Sequence, residues 1–570
     1  MTVQTHELHA VSPRPRSGWA TAAMAAVVAL TLGIGGVVGA FLVNGRGAGM
    51  GTLAAFAPAD AAMYSEVDLT LPGAQRANLA ALLDHWSAVD PDLLLGDQFA
   101  GFVDGLVDTS VPFTYTDDLA PWLSGQFAIV LRSWPASPSD PMAITVPELA
   151  LVIGSRDDAA ATVLADRMRD AAADEGGLTF TSTEHGGVTI WSTDDASGGM
   201  VGNAEFAYAV TDGAVVIATG ADEVGRALDT RSSDATLAAN AEVGRLVAAL
   251  PSERVAMTVI DTRAAMDGML ADLGDASPAL AESLGAYVAG IPDHAVASLS
   301  FEADRAVITN VTELGDGPFA MRSLSSAMAE RIPAEALFYA AMPDIGQSIG
   351  SGIDLFLAGL AADPFAGPMA QEWIDGFESK TGVAVGDLFS WADDAAAYVT
   401  WDGNQPSGGL IALTNDAAAA RSQVDALVEA LVGEAGSQVT VETDSIGDAE
   451  VTRLVGGGGM LPVEIAIGRE SVSITFGEGV AANLAELEAP GSLAGVDRFT
   501  DAIGSVGGDA TSAAAWIDLA GIVDAIAASM PEQSTMSMMV LGNLEPLDFI
   551  VGASHEEDGL TVSRTDIVVR

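Results

Sequence analysis

Short runs of alternating apolar and polar residues, broken by turns containing glycine or aspartate, set the pattern of this chain. Met63–Leu71, Phe127–Leu131, Leu149–Ile153 and Val255–Ile260 read as strands. Leu178–Ser182 and Val188–Trp191 flank His185-Gly186-Gly187, and Phe206–Val210 and Ala214–Ala218 flank Asp212-Gly213, turn pairs of the kind hairpins prefer. Helical spacing predicts amphipathic helices over Ala77–Leu83 and Phe99–Val107. A longer alanine-rich helix starts near Asp157, with Asp157 or Asp158 as its N-cap or first-turn acid. A strand pair, Ala295–Phe301 and Val307–Leu314, completes the unit. Many strands joined by hairpins and interrupted by helices predict an α+β fold with antiparallel sheets and flanking helices, not a doubly wound parallel sheet.

The same pattern then recurs. Pro58-Ala59-Asp60, four residues before Tyr64, returns as Pro333-Ala334-Glu335 before Tyr339. Asp118-Leu119-x-x-Trp122 returns as Asp387-Leu388-x-x-Trp391, and Ile260-Asp261 with Asp267 returns as Ile517-Asp518 with Asp524. Shorter matches keep the same order: Asp104-Gly105 with Asp375-Gly376, Asp157 with Asp416, and the loops Gly198-Gly199-Met200 and Gly458-Gly459-Met460. Shared order points to a tandem-duplicated ectodomain, with a first copy over 58–320 and a second over 333–570. Two such lobes are expected to meet across a cleft, where ligands commonly bind.

Trp19–Val43 carries no charged side chain and is long enough to span a bilayer as one transmembrane helix. Arg14 and Arg16 precede it and only Arg46 follows closely, which places residues 1–18 as a cytoplasmic tail and the rest outside the cell membrane. The apolar stretch is too long for a cleaved signal peptide, and Pro58 follows the small residues of Ala55-Phe56-Ala57, so the expected element is a signal-anchor. Gly35 and Gly39 stand at the spacing that lets two such helices pack closely as an anchor-mediated dimer. Residues 44–57, with Gly45, Gly47, Gly49 and Gly51, read as a flexible linker.

The opening Pro-Ala-Asp strand ending near Tyr64, the Asp118-Leu119-x-x-Trp122 corner and the single N-terminal span resemble a bacterial family described only as a domain of unknown function. The resemblance implies one anchor followed by a long α+β ectodomain. It implies no activity, cofactor or catalytic residue.

Composition narrows the chemistry. The formal net charge is −55, which disfavours nucleic acid and other polyanions as partners. Cysteine is absent, which excludes disulfides, thiol nucleophiles and cysteine-ligated zinc. Lys380 is the only lysine, so no P-loop is possible. Lys380-Thr381-Gly382 also lacks the Ser-x-x-Lys partner that a penicillin-recognising site needs. Of the histidines, His6 and His9 fall in the tail, and His85, His185, His294 and His555 are scattered without metal-ligand spacing. The acidic groups Asp90-x-Asp92, Asp194-Asp195 and Glu556-Glu557-Asp558 lack calcium-loop spacing. One catalytic pattern remains: Gly346-Gln347-Ser348-Ile349-Gly350 matches a nucleophile elbow between strand and helix, with His555 as the downstream histidine. A glycine-rich chain supplies that pattern readily, and a tight strand-to-helix turn accounts for it. The expected function is therefore non-catalytic, without metal or cofactor: binding of an unidentified protein or envelope ligand, or scaffolding. An extracytoplasmic serine hydrolase using Ser348 is the alternative.

Overall fold

The computed structural model describes residues 50–570 except 72, 87–88, 90, 92–113, 135–146, 177, 194–205, 277, 317–319, 363–365, 402, 404, 436–438, 448, 457–461, 478, 486–490, 508–510 and 530–541. The first half runs β1 (Met63–Asp68), α1 (Gly73–Leu83), β2 (Leu123–Leu131), β3 (Leu149–Ser155), α2 (Asp158–Gly176), β4 (Phe180–His185) and β5 (Val188–Thr193). It continues through β6 (Ala207–Thr211), β7 (Ala214–Ala218), α3 (Ala221–Arg231), α4 (Ala241–Ala249), β8 (Ala256–Asp261), α5 (Thr262–Ala276), α6 (Pro278–Val288), β9 (His294–Glu302) and β10 (Arg305–Glu313). The second half runs β11 (Phe338–Met342), α7 (Ile345–Ala362), α8 (Ala366–Thr381), β12 (Ala392–Trp401), β13 (Pro406–Thr414), α9 (Ala417–Ala435), β14 (Val439–Ile446) and β15 (Ala449–Gly456). It closes with β16 (Val463–Ile467), β17 (Ser471–Phe476), α10 (Val480–Ala485), α11 (Asp497–Val506), β18 (Ala513–Ile517), α12 (Leu519–Ser529), β19 (Leu547–Glu557) and β20 (Leu560–Val569).

All twenty strands belong to one sheet. Followed ladder by ladder, the first half reads β4-β5-β6-β7-β3-β2-β1-β8-β9-β10, every pair antiparallel. The sheet continues β20-β19-β18-β11-β12-β13-β17-β16-β15-β14, the same order run backwards. The join is the ladder β10–β20, in which Arg305 faces Val568, Thr309 faces Arg564 and Glu313 faces Leu560. Glu302 pairs with Arg305 across one hairpin and Glu557 with Leu560 across the other, so Thr309 and Arg564 are counterparts that face one another. A pseudo-two-fold axis passes between them.

The expected fold class, a tandem-duplicated α+β ectodomain with antiparallel sheets and flanking helices preceded by one transmembrane helix, is corrected in that both copies build a single sheet and no transmembrane helix is found among the described residues. The halves are not lobes facing across a cleft. β10 would leave a row of unpaired backbone groups at the end of its half, and β20 satisfies them. No helix among the described residues is long and apolar enough to cross a membrane. Trp19–Val43, with Gly35 and Gly39, lies outside the described residues, as do the expected helix Phe99–Val107 and both Gly-Gly-Met loops. The end of the expected 44–57 linker is also structured differently. Thr52–Phe56 forms a 3-10 turn that buries Leu53, Ala54 and Phe56, because the apolar side chains of that turn complete the core beneath it.

Alternation along the strands gives the sheet two covered faces. On one, Tyr64, Val130, Val152, Val216, Met257 and Val296 pack under α3 and α4. Leu560 and Val562, from the last strand of the chain, belong to the same first-half core. On the opposite face Leu151, Ile153 and Val215 pack with Trp122 against α2, and Phe301 packs against α1. The second half repeats both layers. Tyr339, Tyr398, Trp516 and Val551 lie under α11 on the first face, and Ala395, Ala412 and Ile467 pack with Trp391 against α9 on the other. Burying each valine, leucine, isoleucine, phenylalanine or methionine among them contributes roughly 1.5–3 kcal/mol.

Local chemistry explains the starts and turns. Asp157 and Asp416 cap α2 and α9, accepting from the amides of Ala160 at 3.0 Å and Ala419 at 2.9 Å. Asp261 and Asp518 do the same for α5 and α12, at 2.7 and 3.0 Å. The β4–β5 turn places Gly186 and Gly187 at φ of 59° and 85°, the left-handed region in which a two-residue hairpin turn needs glycine.

Candidate functional site

The repeated Pro-Ala-Asp/Glu motif fastens the first strand of each half to a distant loop. Pro58 bridges Thr236, and Pro333 bridges Ser492. The amides of Ala59 and Ala334 each donate at 3.0 Å, to the carbonyls of Ala235 and Gly491. In the first half this junction borders an open cavity of about 520 Å³ lined by Pro58, Ala59, Asp60, Asp229, Thr230 and Ser233, with Ala235. Asp229 is held at its rim by His185, whose Nε2 lies 2.7 Å from Oδ1. Ser233 is committed to the local turn: its hydroxyl donates to the Thr230 carbonyl at 2.8 Å and accepts from the Ala235 amide at 3.1 Å. The cavity therefore offers carboxylate acceptors and no activated nucleophile.

The paired corners show how local sequence positions the long helices. Trp122 and Trp391 are both buried, and their indole nitrogens donate to Asp118 O at 2.9 Å and Leu388 O at 3.1 Å. Burial acts to raise the Asp118 carboxyl, but ion pairing with Arg167 and the Thr114 amide outweigh it and hold the group below the usual carboxylate range.

Ser348 and His555 are not brought together. Ser348 is exposed in the first turn of α7, where its amide donates to Asp344 O at 3.2 Å, so it sits inside a helix rather than on a strained elbow. Ile345, at the start of α7, packs with the Trp391 face of the sheet, whereas His555 follows Val551 and Ala553 on the face under α11. The sheet lies between them. The glycines of the motif have a packing origin. A Cβ on Gly346 would come within 2.2 Å of Phe389 O and 2.5 Å of Ala392 O, and one on Gly350 within 3.1 Å of Gly386 O. Lys380-Thr381-Gly382 is a helix terminus: Gly382 has a φ of 71° and its amide closes α8 on Glu378 O at 2.8 Å. Asp558 of the Glu556-Glu557-Asp558 cluster forms the β19–β20 turn with Gly559, at φ of 51° and 74°. Asp90, Asp92, Asp194 and Asp195 lie outside the described residues, among which no group of three or more His, Cys, Asp or Glu is placed to hold a metal ion.

Sequence reasoning missed the polar groups inside the sheet. At the seam Asp566 is 0% exposed and binds two arginines, Arg305 at 3.1 Å and Arg564 at 2.7 and 3.0 Å. Arg564 also reaches Glu302 at 3.0 Å. In β1, Glu66 accepts from the Tyr64 hydroxyl at 2.6 Å and from the Gly51 amide at 2.8 and 3.0 Å. Burial raises the Glu66 carboxyl above its ordinary value, against the opposing pull of Tyr64, Gly51 and Arg254. The signal was the strand alternation itself, which puts Tyr64, Glu66 and Asp68 on the same covered face.

One apolar feature points outward. On the hairpin of α7 and α8, Phe356, Met369 and Trp373 are 65%, 73% and 53% exposed, and Trp373 stacks on the buried Phe377 with ring centroids 5.6 Å apart.

A family model described as "Protein of unknown function (DUF3352)" matches residues 23–538. The chain belongs to this family. The match runs from the first half into the second and takes in β1–β18, ending before β19 and β20. No curated protein and no solved structure matches the chain.

Proposed function

We propose that this DUF3352 protein is a non-catalytic bacterial binding or scaffold protein, attached to the cell membrane through Trp19–Val43 with residues beyond it outside the cell. The uncharged stretch and the arginines before it support the location. The single observation that carries the binding role is the exposure of three large apolar side chains, Phe356 on α7 and Met369 and Trp373 one turn apart on α8, in an otherwise strongly acidic chain. Exposed aromatic and methionine side chains gathered on a rigid surface mark a contact for another protein, and such anchors carry most of a binding energy. The carboxylate-rimmed cavity at Asp60 and Asp229 offers a second, cation-accepting contact.

The test is in-cell crosslinking of the full chain from a photoreactive residue at position 370, followed by identification of the captured protein. Phe356→Ser with Trp373→Ser should reduce capture about tenfold or more, while Ser348→Ala should leave both capture and cellular phenotype unchanged. Loss of phenotype on Ser348→Ala with the fold intact, or capture indifferent to the double change, would overturn the reading.

A further inference from the structure

The sheet ends in two free edges, β4 and β14, each paired on one side only among the described residues. The two strands are counterparts. Each opens a hairpin closed by a two-residue turn, with His185 facing Val188 in one and Ile446 facing Ala449 in the other. That turn length fixes which backbone groups look outward. Thr181, Thr183 and His185 exchange hydrogen bonds with β5, which leaves the amides and carbonyls of Phe180, Ser182 and Glu184 on the open side. By the same parity β14 presents Val441, Thr443 and Ser445. The middle residues of both strands are exposed.

The edges differ in what a facing copy would meet. Two β14 strands paired antiparallel about Thr443, the register that uses most of the strand, set Glu442 of each copy opposite Asp444 of the other. Like charges facing across a ladder oppose pairing. Two β4 strands paired about Ser182 set Thr181 opposite Thr183 and Phe180 opposite Glu184, so no like charges face. Pairing a strand with its own equivalent is already how this molecule is built: β10 and β20 are counterparts and meet antiparallel about an axis at Thr309 and Arg564.

We propose that β4 does the same between molecules, pairing antiparallel with β4 of a second copy about a two-fold axis at Ser182. The helices leave room for it. α3 lies over β5, β6 and β7. About five strand spacings, or about 24 Å, then separate α3 from its copy, against a helix diameter of ~10–12 Å. Glu184 keeps its bond from Thr189 Oγ1 at 2.7 Å and His185 its contact with Asp229 at 2.7 Å, because those partners stand on the same copy. So short a strand makes a small interface, and each copy carries a formal charge of −55. The dimer is therefore weak, and salt strengthens it by screening the repulsion.

Because the chain has no cysteine, Ser182→Cys places a single thiol on the axis. Residues that exchange hydrogen bonds across a ladder stand ~5.5 Å apart between Cα atoms, within disulfide reach. Under mild oxidation of the full chain in detergent, this variant should form a disulfide dimer roughly tenfold faster than Thr443→Cys, its exposed counterpart on β14. Each rate is corrected for the thiol's reactivity toward a small uncharged disulfide. The Ser182→Cys rate should rise with NaCl. Adding Thr181→Asp and Thr183→Asp, which copies the charges of β14 onto β4, should lower it about tenfold. A chain carrying both Ser182→Cys and Thr443→Cys should stop at the dimer. Three results would overturn the proposal: equal rates for the two single variants, indifference to the aspartates, or a ladder of larger species from the double variant, which would mean that β4 pairs with β14 instead.

Discussion

The two halves use the same backbone but fill equivalent places differently, most clearly at the seam. Val311 and Asp566 are counterparts, and both are 0% exposed. The first belongs to an aliphatic cluster with Val296 and Val562, whereas the second is clamped between Arg305 and Arg564. Thr309 and Leu560 stand in the first-half and second-half places that answer to those two arginines. One end of the β10–β20 ladder is therefore apolar and the other ionic. At the outer end the contrast reverses. His294 and Glu313 form a pair at 3.5 Å, and their counterparts are Phe549 and Val568 within an aromatic group that Arg498 covers at 5.2 Å. Features shared by both halves are those that build backbone: proline bridges, aspartate N-caps and corner tryptophans. Features that differ are side-chain ionic groups, and at a seam they have a physical use. A buried charge cluster on one end of an otherwise symmetric ladder specifies that β10 meets β20 in a single register.

The comparison can be broken at the points where the halves agree. Trp122→Ala and Trp391→Ala should each cost about 4 kcal/mol in denaturant unfolding, since both remove a buried anchor between sheet and long helix. Similar losses would show that the corners are equivalent in energy as well as in place, and a loss in only one would separate them. At the seam, Asp566→Ala should cost about 3 kcal/mol by leaving two largely buried arginines without their shared partner. Val311→Ala, the counterpart, should cost about 2 kcal/mol as a simple cavity. The asymmetry would vanish if the two costs were equal and the aspartate change had no salt dependence.

The smallest effect is a matter of pH. The Glu313 carboxylate 3.5 Å away raises His294, against burial; burial acts to raise Glu313, but His294 outweighs it and holds the carboxyl below its usual value. The histidine's share of stability is fully present below its unfolded value of about 6.5 and is lost as pH rises through the raised folded value. The glutamate's share is present above its unfolded value of about 4.3 and is lost as pH falls through the lowered folded value. Wild type should therefore exceed His294→Gln in stability chiefly between those limits, by under about 1 kcal/mol. Unfolding curves across pH give the difference directly, and a constant difference would remove the pair from the account.

Strand alternation made most elements legible. The hairpins around Gly186-Gly187 and Gly213, the Asp157 cap and strands β3, β8 and β9 stand close to where the residues placed them. What sequence could not show was the joining of the halves. β10 and β20 are ordinary alternating strands, and nothing local in Thr309 or Arg564 says that each is the other's neighbour. The same limit hid Asp566, whose partner Arg305 lies far away in sequence and becomes close only through that ladder. The Ser348 pattern shows the opposite limit. Its glycines are required by the close approach of α7 to the carbonyls of Phe389 and Ala392, and a motif cannot distinguish that packing need from a catalytic one.

The claim that a single sheet runs through both halves can be tested by crosslinking at the pseudo-axis, since the chain has no cysteine of its own. Thr309→Cys with Arg564→Cys places the two thiols on directly facing residues, and Ser298→Cys with Thr309→Cys makes the same pairing inside the β9–β10 hairpin. After mild oxidation and proteolytic cutting between residues 314 and 325, the first variant should keep the halves covalently joined on a non-reducing gel, and the hairpin variant should not. Halves that separate in the first variant, while the hairpin disulfide forms readily in the second, would contradict the continuous sheet.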